Sequence, residues 1–246
     1  MFSGFHATCV DRVGEMRRPS DTKLNSQAQI KLAIFDIDET FVHGDSFKGF
    51  CWFALRTGGI RFSWLWRLPV ATLMYLAGRL DAGSFKGSCL RIFLMPNDKA
   101  MLKAIANNFV DGVLRKKVYS TAVDRLCWHK QQNHTVVFLS ASPDVYLTEL
   151  QSRFGVDRLI CTKFISGDGE FTGEIYSGNC KGEEKRRRLV EEYSACEVDW
   201  DQSYGYGNSV EDVPFLEVVG NAVAVNPDLK LRKIAMQRTW PIETWS

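Results

Sequence analysis

The chain has 246 residues, 45% of them hydrophobic and 24% charged, which is enough apolar material for one large domain or for a domain with an insert. Its formal net charge of +2 gives no indication of the strongly basic surface by which proteins wrap nucleic acid. The seven cysteines stand singly and form no C-x-x-C pair. We therefore expect neither a zinc site nor a disulfide framework, and we predict a reducing, cytoplasmic environment.

The start of the chain contains no apolar core of the kind that a secretory signal requires. We expect residues 1–30 to be a mostly disordered extension. Residues 31–35 then form a short and mainly apolar run, which predicts a strand buried on both faces.

Residues 46–118 are rich in aromatic side chains and show helical patterns without strand signals. We predict a helical cap, inserted after the first strand and lying over its C-terminal end, where open parallel sheets bind ligands. The apolar run between Arg67 and Arg79 is shorter than the roughly 20 residues that a membrane-spanning helix needs. We predict amphipathic helices instead, with the tryptophans of this segment packing internally or facing a substrate or a bilayer surface.

The rest of the chain alternates short apolar runs with helical patterns, which predicts a parallel sheet covered by helices on both faces. The apolar runs are residues 135–139, 158–161 and 222–225, and the helical patterns are residues 144–154, 183–193 and 213–219. A Gly-Asp-Gly turn within residues 164–175 predicts a hairpin. We expect an α/β core made of residues 31–45 and 119–246.

Four acidic residues follow the first strand within a span of ten positions: Asp36, Asp38, Glu39 and Asp45. Asp36 and Asp38 should point to the same side, because side chains of an extended chain alternate with period two. Two carboxylates this close favour a site in which a divalent cation neutralises one and the other keeps a proton for acid–base work. The stretch therefore predicts magnesium and a phosphate as ligands.

Three later motifs supply groups of matching chemistry. Ser140 ends the second predicted strand with a hydroxyl suited to hold a phosphoryl oxygen. Lys181 and Lys185 lie four residues apart near a helix N-terminus, where cations do not stabilise the helix itself. A glycine-rich loop then brings Asn208 and Asp212 after a further short strand. Taken alone, each of these residues could cap a helix or lie on the solvated surface. Their order along the chain favours a phosphate site.

In this order the motifs resemble those of the haloacid dehalogenase superfamily, in particular its phosphoserine-phosphatase-like branch with a helical cap after the first motif. "FDIDET" matches the D-x-D-x-T signature, "LSAS" the serine motif, and "CKGEEK" with "GNSVEDVPFLEVVGNAVAVNPD" the last two motifs. The resemblance covers residue 31 to the C-terminus. It implies a Rossmann-like parallel sheet with an inserted helical cap domain, and a two-step phosphoryl transfer.

The resemblance also implies a role for each matching residue. Asp36 would be the nucleophile that forms an aspartyl-phosphate, and Asp38 would protonate the leaving oxygen and then activate water. Phosphate would be bound by Thr40, by Ser140 and by either Lys185 or Lys181. Thr40 would also steady the loop. Mg²⁺ would be held by Asp36, by the backbone carbonyl of Asp38, and by Asn208 and Asp212 of the last loop. Asp45 would take part in substrate recognition.

Two positions depart from the family pattern. Asn208 stands where the family usually has an aspartate, and an amide oxygen can ligate magnesium but brings no charge, so we expect weaker metal binding. Lys185 fits the C-x-G-x-x-K form of this branch, whereas Lys181 fits phosphoserine phosphatases proper. We favour Lys185.

The expected function is a magnesium-dependent phosphomonoester hydrolase for a small metabolite that resembles phosphoserine or histidinol phosphate. Arg91 lies one residue out of register with the substrate arginine of phosphoserine phosphatases, which weakens phosphoserine itself. Two alternatives stay open: a lipid-phosphate phosphatase at a membrane surface, favoured by the tryptophan-rich cap, and a non-catalytic phosphate-binding module, favoured by Asn208. We expect no nucleic-acid partner, leave peripheral membrane contact through the cap open, and infer no oligomeric state.

Overall fold

The computed structural model describes residues 29–57, 66–94, 99–167, 170–176 and 178–246. Within them, six strands form one parallel sheet in the order β3-β2-β1-β6-β7-β8. These strands are β1 (Leu32–Phe35), β2 (Thr135–Pro143), β3 (Arg158–Thr162), β6 (Tyr204–Gly207), β7 (Asn221–Val225) and β8 (Ile242–Glu243). The predicted α/β fold with a parallel sheet is confirmed. The predicted extension lies almost entirely outside the described residues.

The predicted hairpin is present as a separate pair of antiparallel strands, β4 (Phe164–Gly167) and β5 (Glu170–Ile175). Its turn residues 168 and 169 lie outside the described part of the chain. In the main sheet the chain runs outwards from β1 through β2 to β3, and later outwards from β6 to β8 on the other side. The C-terminal end of β1 is therefore the switch point of the sheet, which is where ligands bind in this architecture.

Within the described residues, four α-helices lie between β1 and the first helix of the core, which begins at Ser120. They are α1 (Ser46–Arg56), α2 (Arg67–Leu76), α3 (Ala82–Leu94) and α4 (Lys99–Phe109), followed by a π-helical turn (Val110–Leu114) and a 3-10 turn (Arg115–Lys117). The chain leaves and re-enters the core side by side, because Val42 and Val118 form an antiparallel bridge and the His43 amide donates to the Lys117 carbonyl at 2.7 Å. None of the helices in the described residues has the length and apolar character needed to cross a membrane.

The core helices are α5 (Ser120–Gln131), α6 (Asp144–Phe154), α7 (Glu183–Glu192), α8 (Val213–Leu216) and α9 (Leu229–Gln237). The predicted helix at residues 213–219 is shorter than expected. The Val218 amide donates to the Phe215 carbonyl, three residues back, so the helix tightens and ends there.

Strand β1 is the centre of the core, and all four of its side chains are fully buried. Ala33 and Phe35 pack into the cluster on one face of the sheet, and Leu32 and Ile34 pack into the cluster on the other. This burial on both faces explains why the strand is a continuous apolar run and why its end holds the next residues rigidly.

Candidate active site

Asp36 and Asp38 directly follow β1 in a tight loop. The Asp36 amide still donates to the Tyr206 carbonyl at 2.9 Å, which continues the β1–β6 ladder by one residue. The amides of Phe41 and Val42 both donate to the Ile37 carbonyl at 2.9 Å, so the chain turns at once. The Asp36 side chain is buried and Asp38 is half-buried.

Two serines from different elements hold the Asp38 carboxylate. The Ser46 amide, at the start of α1, donates to Asp38 Oδ1 at 2.7 Å, and the Ser142 hydroxyl, at the end of β2, donates to Oδ2 at 2.6 Å. The Ser46 hydroxyl in turn lies 2.9 Å from the Tyr146 hydroxyl and 3.3 Å from the Ser142 hydroxyl. Both oxygens of Asp38 therefore have fixed partners, which restrict the orientation of the carboxyl group.

Ser140 lies in an irregular part of β2, beside the serine that holds Asp38. Pairing with β3 shifts between Ser140 and Pro143, so the chain bulges here. Inside the bulge the Ser142 amide donates to Ser140 Oγ at 3.0 Å. Ser140 is fully buried, and its hydroxyl hydrogen is available for a further acceptor.

Lys185 joins two acidic residues in the interior of the site. Its Nζ lies 2.5 Å from Asp36 Oδ1 and 2.6 Å from Asp212 Oδ1, and its side chain is only 4% exposed. Lys185 and Leu189 are the buried residues of α7, one turn apart on the face that packs on the core. Lys181 is instead 48% exposed and pairs with Glu211 at 3.2 Å. The structure thus brings Lys185, and not Lys181, to Asp36.

The charges of this cluster do not balance. Burial raises the pKa of Asp36 well above its usual range, and repulsion from Asp212 and Asp38 adds to the rise, against the attraction of Lys185. Burial alone would lower the pKa of Lys185, but attraction to Asp212 and Asp36 outweighs it and keeps the ammonium charged. Burial also raises the pKa of Asp38, while its hydrogen bonds from Ser142 and Ser46 oppose the rise. The site therefore favours the gain of a proton or a further cation.

The loop after β6 is organised by Asp212. Its Oδ2 accepts hydrogen bonds from the amides of Asn208 (3.1 Å) and Ser209 (3.0 Å) and from the Ser209 hydroxyl (3.1 Å). A Cβ on Gly207 would lie 2.6 Å from the Asp212 Cβ, so only glycine fits there. Both oxygens of Asp212 are thus occupied, one by this loop and the other by Lys185. The Asn208 carboxamide has no hydrogen-bond partner within the described residues and is only half-buried.

Thr40 and Asp45, two of the predicted residues, lie in the loop between β1 and α1. Thr40 is fully buried, and its hydroxyl oxygen has no hydrogen-bond partner within the described residues. Asp45 is the N-cap of α1, where its Oδ1 accepts from the Lys48 amide at 2.9 Å and its Oδ2 lies 3.3 Å from the Lys48 ammonium. The Asp45 side chain is 44% exposed, so it remains accessible to a ligand.

Lys86 on α3 reaches the site, although no sequence motif marks it as a site residue. Its Nζ donates to the Ala141 carbonyl at 2.7 Å, inside the β2 bulge between Ser140 and Ser142. Burial lowers the pKa of Lys86, and the nearby carboxylates of Asp38 and Asp45 oppose that change. Arg91, the cap residue noted in the sequence, pairs instead with Glu174 of β5 at 3.1 Å.

The oxygen ligands at the site suit a magnesium ion that is bound with modest affinity. The described residues contain no group of three or more His, Cys, Asp or Glu side chains arranged to hold a metal. Asp212 is turned towards Lys185, and the neutral Asn208 stands where the family pattern usually has an aspartate. Magnesium, however, needs only one or two carboxylates and otherwise keeps water ligands. The Asp36 carboxylate, the Asp38 backbone carbonyl and the Asn208 amide oxygen are ligands of that kind, and they leave the Asp38 carboxyl free for acid–base work.

Comparison with known proteins agrees with this geometry. The model of the haloacid dehalogenase-like hydrolase family matches residues 33–217. A probable phosphatase from Mycobacterium tuberculosis is 27% identical over 242 residues, which cover 97% of this chain and 84% of that protein. A phosphoserine phosphatase from the same organism is 27% identical over 223 residues, covering 85% of this chain and 69% of that protein.

A solved structure shares the fold over nearly its whole length. It is a protein of unknown function from Bordetella pertussis, which superposes with a TM-score of 0.76 at 28% identity and covers 87% of this chain and 98% of its own. The resemblance inferred from the four motifs is thereby confirmed. The chain belongs to the haloacid dehalogenase-like hydrolase family and is an enzyme of the phosphatase type.

Proposed function

We propose that this enzyme is a magnesium-dependent phosphomonoesterase that works through an aspartyl-phosphate on Asp36. The observation that carries the proposal is the buried Lys185, whose ammonium lies between Asp36 and Asp212. A cation fixed beside a nucleophilic carboxylate offsets the charge of the incoming phosphoryl oxygens, and it needs no reorganisation at the moment of reaction.

In the first step an oxygen of Asp36 attacks phosphorus and the bond to the leaving oxygen breaks. Asp38 gives its proton to that leaving oxygen. The raised pKa of Asp38, caused by burial, favours the protonated acid that this step needs. The hydrogen bonds from Ser46 and Ser142 keep the carboxyl group in a single orientation for the transfer.

In the second step water attacks phosphorus of the aspartyl-phosphate and loses a proton to the Asp38 carboxylate. The phosphorus–oxygen bond to Asp36 then breaks, which releases phosphate and restores both residues. Ser140 and Lys185 bind the phosphoryl oxygens in both steps. The buried Thr40 hydroxyl, which has no partner among the described residues, is satisfied by a hydrogen bond when the phosphate site fills.

The Asp36 carboxylate, the Asp38 backbone carbonyl and the Asn208 amide oxygen would hold magnesium, and Asp212 supports the site by fixing Lys185 and the loop of Asn208. When bound, magnesium offsets the negative charge that the phosphoryl group brings next to the carboxylates. The amide of Asn208 contributes no charge to this binding, which predicts a weaker affinity than a third carboxylate would give.

Residues 46–118 act as a cap over the phosphate site, and Lys86 is the cap residue that contacts the substrate. The Lys86 ammonium uses one donor on the Ala141 carbonyl and stands within the field of Asp38, Asp45 and Lys185. Its remaining donors suit an anionic group on the leaving-group side of a small phosphomonoester. A carboxylate-bearing substrate of the phosphoserine kind therefore fits better than a cationic one of the histidinol-phosphate kind.

Phosphate release from a panel of phosphomonoesters, with magnesium and with EDTA, tests the proposal. We expect magnesium-dependent turnover that Asp36→Asn abolishes, because an amide nitrogen cannot replace the attacking oxygen. Asp201→Asn, a change of the same kind at an exposed aspartate, should leave turnover unchanged. Asp38→Asn should accumulate phosphoenzyme from p-nitrophenyl phosphate, whose leaving group needs no acid, and hydrolyse it slowly.

Two results would contradict the proposal. Turnover that persists in EDTA would remove the metal from the mechanism. A protein that is stabilised by phosphate esters but hydrolyses none of them would be a binding module instead.

A further inference from the structure

The helix α2 exposes an apolar face that nothing in the described chain covers. The α2 apolar face consists of Trp66, just before the helix, and Val70, Leu73, Met74 and Leu76. Trp66 is 64% exposed, Leu73 is 69% exposed and Leu76 is 76% exposed. Exposed side chains of this size usually stand singly on a protein surface, whereas these are neighbours on one side of a helix.

The other side of α2 already has its packing partner. Ala71 is buried, and the Tyr75 ring stacks on the Phe85 ring of α3 with centroids 4.8 Å apart. A helix that is apolar all round is normally buried on all sides. The contacts with α3 account for one side only, so within the described residues the α2 apolar face has no packing partner.

The charge of the segment that carries this face indicates the kind of partner. Residues 46–80 contain five lysines and arginines and no aspartate or glutamate, whereas the whole chain has a net charge of only +2. The rest of the protein is therefore net negative, and the positive charge is concentrated on the segment that carries the apolar face. Such a combination attracts an anionic surface with an apolar interior.

Aromatic and basic side chains adjoin at both helices of this region. The Arg67 guanidinium lies 5.6 Å from the centre of the Trp66 ring, and the Arg56 guanidinium lies 4.6 Å from the centre of the Trp52 ring on α1. Tryptophan and arginine side chains of this kind place apolar groups at the depth of lipid headgroups while their charged ends stay in water.

We propose that the α2 apolar face docks this enzyme on the surface of an anionic lipid bilayer. The ten residues of α2 are about 15 Å long at 1.5 Å per residue, half of the roughly 30 Å hydrocarbon core, so the helix lies in the interface and does not span it. A second copy of the chain is a poorer occupant, because a two-fold contact would bring the same arginines of both copies together.

Docking through α2 also concerns the active site, since α2 packs on α3 and α3 carries Lys86 to the β2 bulge. The face and Lys86 thus lie on adjacent helices of the insert. Membrane docking does not depend on the phosphatase mechanism, and the two can be tested separately on the same protein.

Co-sedimentation of the full-length protein with lipid vesicles tests the proposal. The probes are vesicles of phosphatidylcholine alone and of phosphatidylcholine mixed with phosphatidylserine. We expect binding to the mixed vesicles, weaker binding to phosphatidylcholine alone, and a loss of binding as salt is raised. Leu73→Glu, which places a charge in the centre of the face, should weaken vesicle binding on the order of tenfold or more.

The matched control is Leu229→Glu, because Leu229 is a leucine that is 88% exposed on α9, outside the insert. It should bind vesicles like the wild type. Thermal unfolding and hydrolysis of soluble p-nitrophenyl phosphate show whether both variants remain folded.

Three results would overturn the proposal: no sedimentation of the wild type with either vesicle, equal binding by wild type and Leu73→Glu, or equal loss in both leucine variants. Sedimentation velocity adds a further check. A wild-type dimer that Leu73→Glu dissociates, together with absent vesicle binding, would assign the face to a second copy.

Discussion

The ammonium of Lys185 lies 2.5 Å from Asp36 Oδ1, although the two residues are 149 positions apart in the chain. Asp36 is fixed by the end of β1, and Lys185 by the inward face of α7. Two rigid elements thus set the distance between the proposed nucleophile and its cation. The proposed mechanism depends on this relationship more than on any other, because it prepares the site for phosphoryl charge before a substrate arrives.

We predict that Lys185→Ala lowers turnover about a hundredfold or more, as expected for the loss of one preorganised charge-stabilising donor. Lys181→Ala is the matched control, since Lys181 is 48% exposed and pairs with Glu211 at the surface. It should change turnover little. The measurement is the rate of phosphate release from p-nitrophenyl phosphate with saturating magnesium.

The same substitution should also affect folding. Lys185→Ala leaves Asp36 and Asp212 buried without their cation, and breaking a buried pair in this way typically costs about 3–5 kcal/mol. Urea unfolding measures that loss and shows how much folded protein remains for the rate measurement. A larger loss of turnover in Lys181→Ala than in Lys185→Ala would contradict the assignment of the phosphate ligand.

Ser142→Ala should reduce turnover in a way that depends on the leaving group. The variant removes the 2.6 Å hydrogen bond to Asp38 Oδ2 while the Ser46 amide still holds Oδ1. We expect a loss of roughly tenfold for alkyl phosphates, whose leaving oxygen needs a well-placed acid, and a small change for p-nitrophenyl phosphate.

The control for this prediction is Ser88→Ala, because the one partner of the Ser88 hydroxyl among the described residues is the Ser84 carbonyl within α3. Its turnover on both kinds of substrate should match the wild type. If Ser142→Ala slows both substrates equally, Ser142 acts on the phosphate site or on the fold and not on Asp38.

Much of the fold is predictable from this sequence because its strands are buried on both faces. The continuous apolar runs of β1, β2, β3 and β7 reflect that burial directly. Strand β8 was not predicted, since its two residues are too few to form a pattern. Its pairing with β7 depends on the fold and not on local composition.

Site residues that belong to a sequence motif were predictable. Site residues that reach the site only through the packing of the fold were not. The role of Ser142 has one local signal: it lies two residues after Ser140 in "LSAS", on the same side of an extended chain. Ser46 acts through its backbone amide, which no side-chain pattern reveals. Lys86 reaches the site only because α3 packs over the β2 bulge, a contact 55 positions away in sequence.

Asn208→Asp should strengthen magnesium binding. A carboxylate at this position adds a charged ligand where the wild type offers only an amide. We expect activation at lower magnesium, with an unchanged or somewhat higher maximal rate. Without metal the variant should be less stable than the wild type, because its new charge is added to the loop that already holds the buried Asp212 carboxylate.

Thermal unfolding with and without magnesium measures both effects of this change. Asn133→Asp is a suitable control, since Asn133 is an exposed turn residue with φ of 59°, a conformation that aspartate also tolerates. An Asn208→Asp protein with unaltered magnesium activation would place the metal away from this loop. Asp212→Ala should be more damaging than either change, because it releases Lys185 and removes three loop hydrogen bonds.

Lys86→Ala should separate substrates by their charge. If the Lys86 ammonium binds an anionic group of the leaving alcohol, the variant should lose on the order of tenfold in kcat/KM for phosphoserine. It should lose little kcat/KM for p-nitrophenyl phosphate, which has no such group. The ratio of kcat/KM for phosphoethanolamine, which carries an amine, to kcat/KM for phosphoserine should rise. Lys86→Arg keeps the charge and should retain the preference for phosphoserine.

Lys48→Ala is the matched control for Lys86, because Lys48 also lies near Asp45 but has a side chain that is 83% exposed. It should leave the substrate ratios unchanged. An equal loss on all three substrates in Lys86→Ala would mean that the lysine only fastens the cap to the Ala141 carbonyl. Unchanged rates on all three would show that Lys86 does not contact the substrate, while hydrolysis of p-nitrophenyl phosphate by the wild type would still support the proposed reaction.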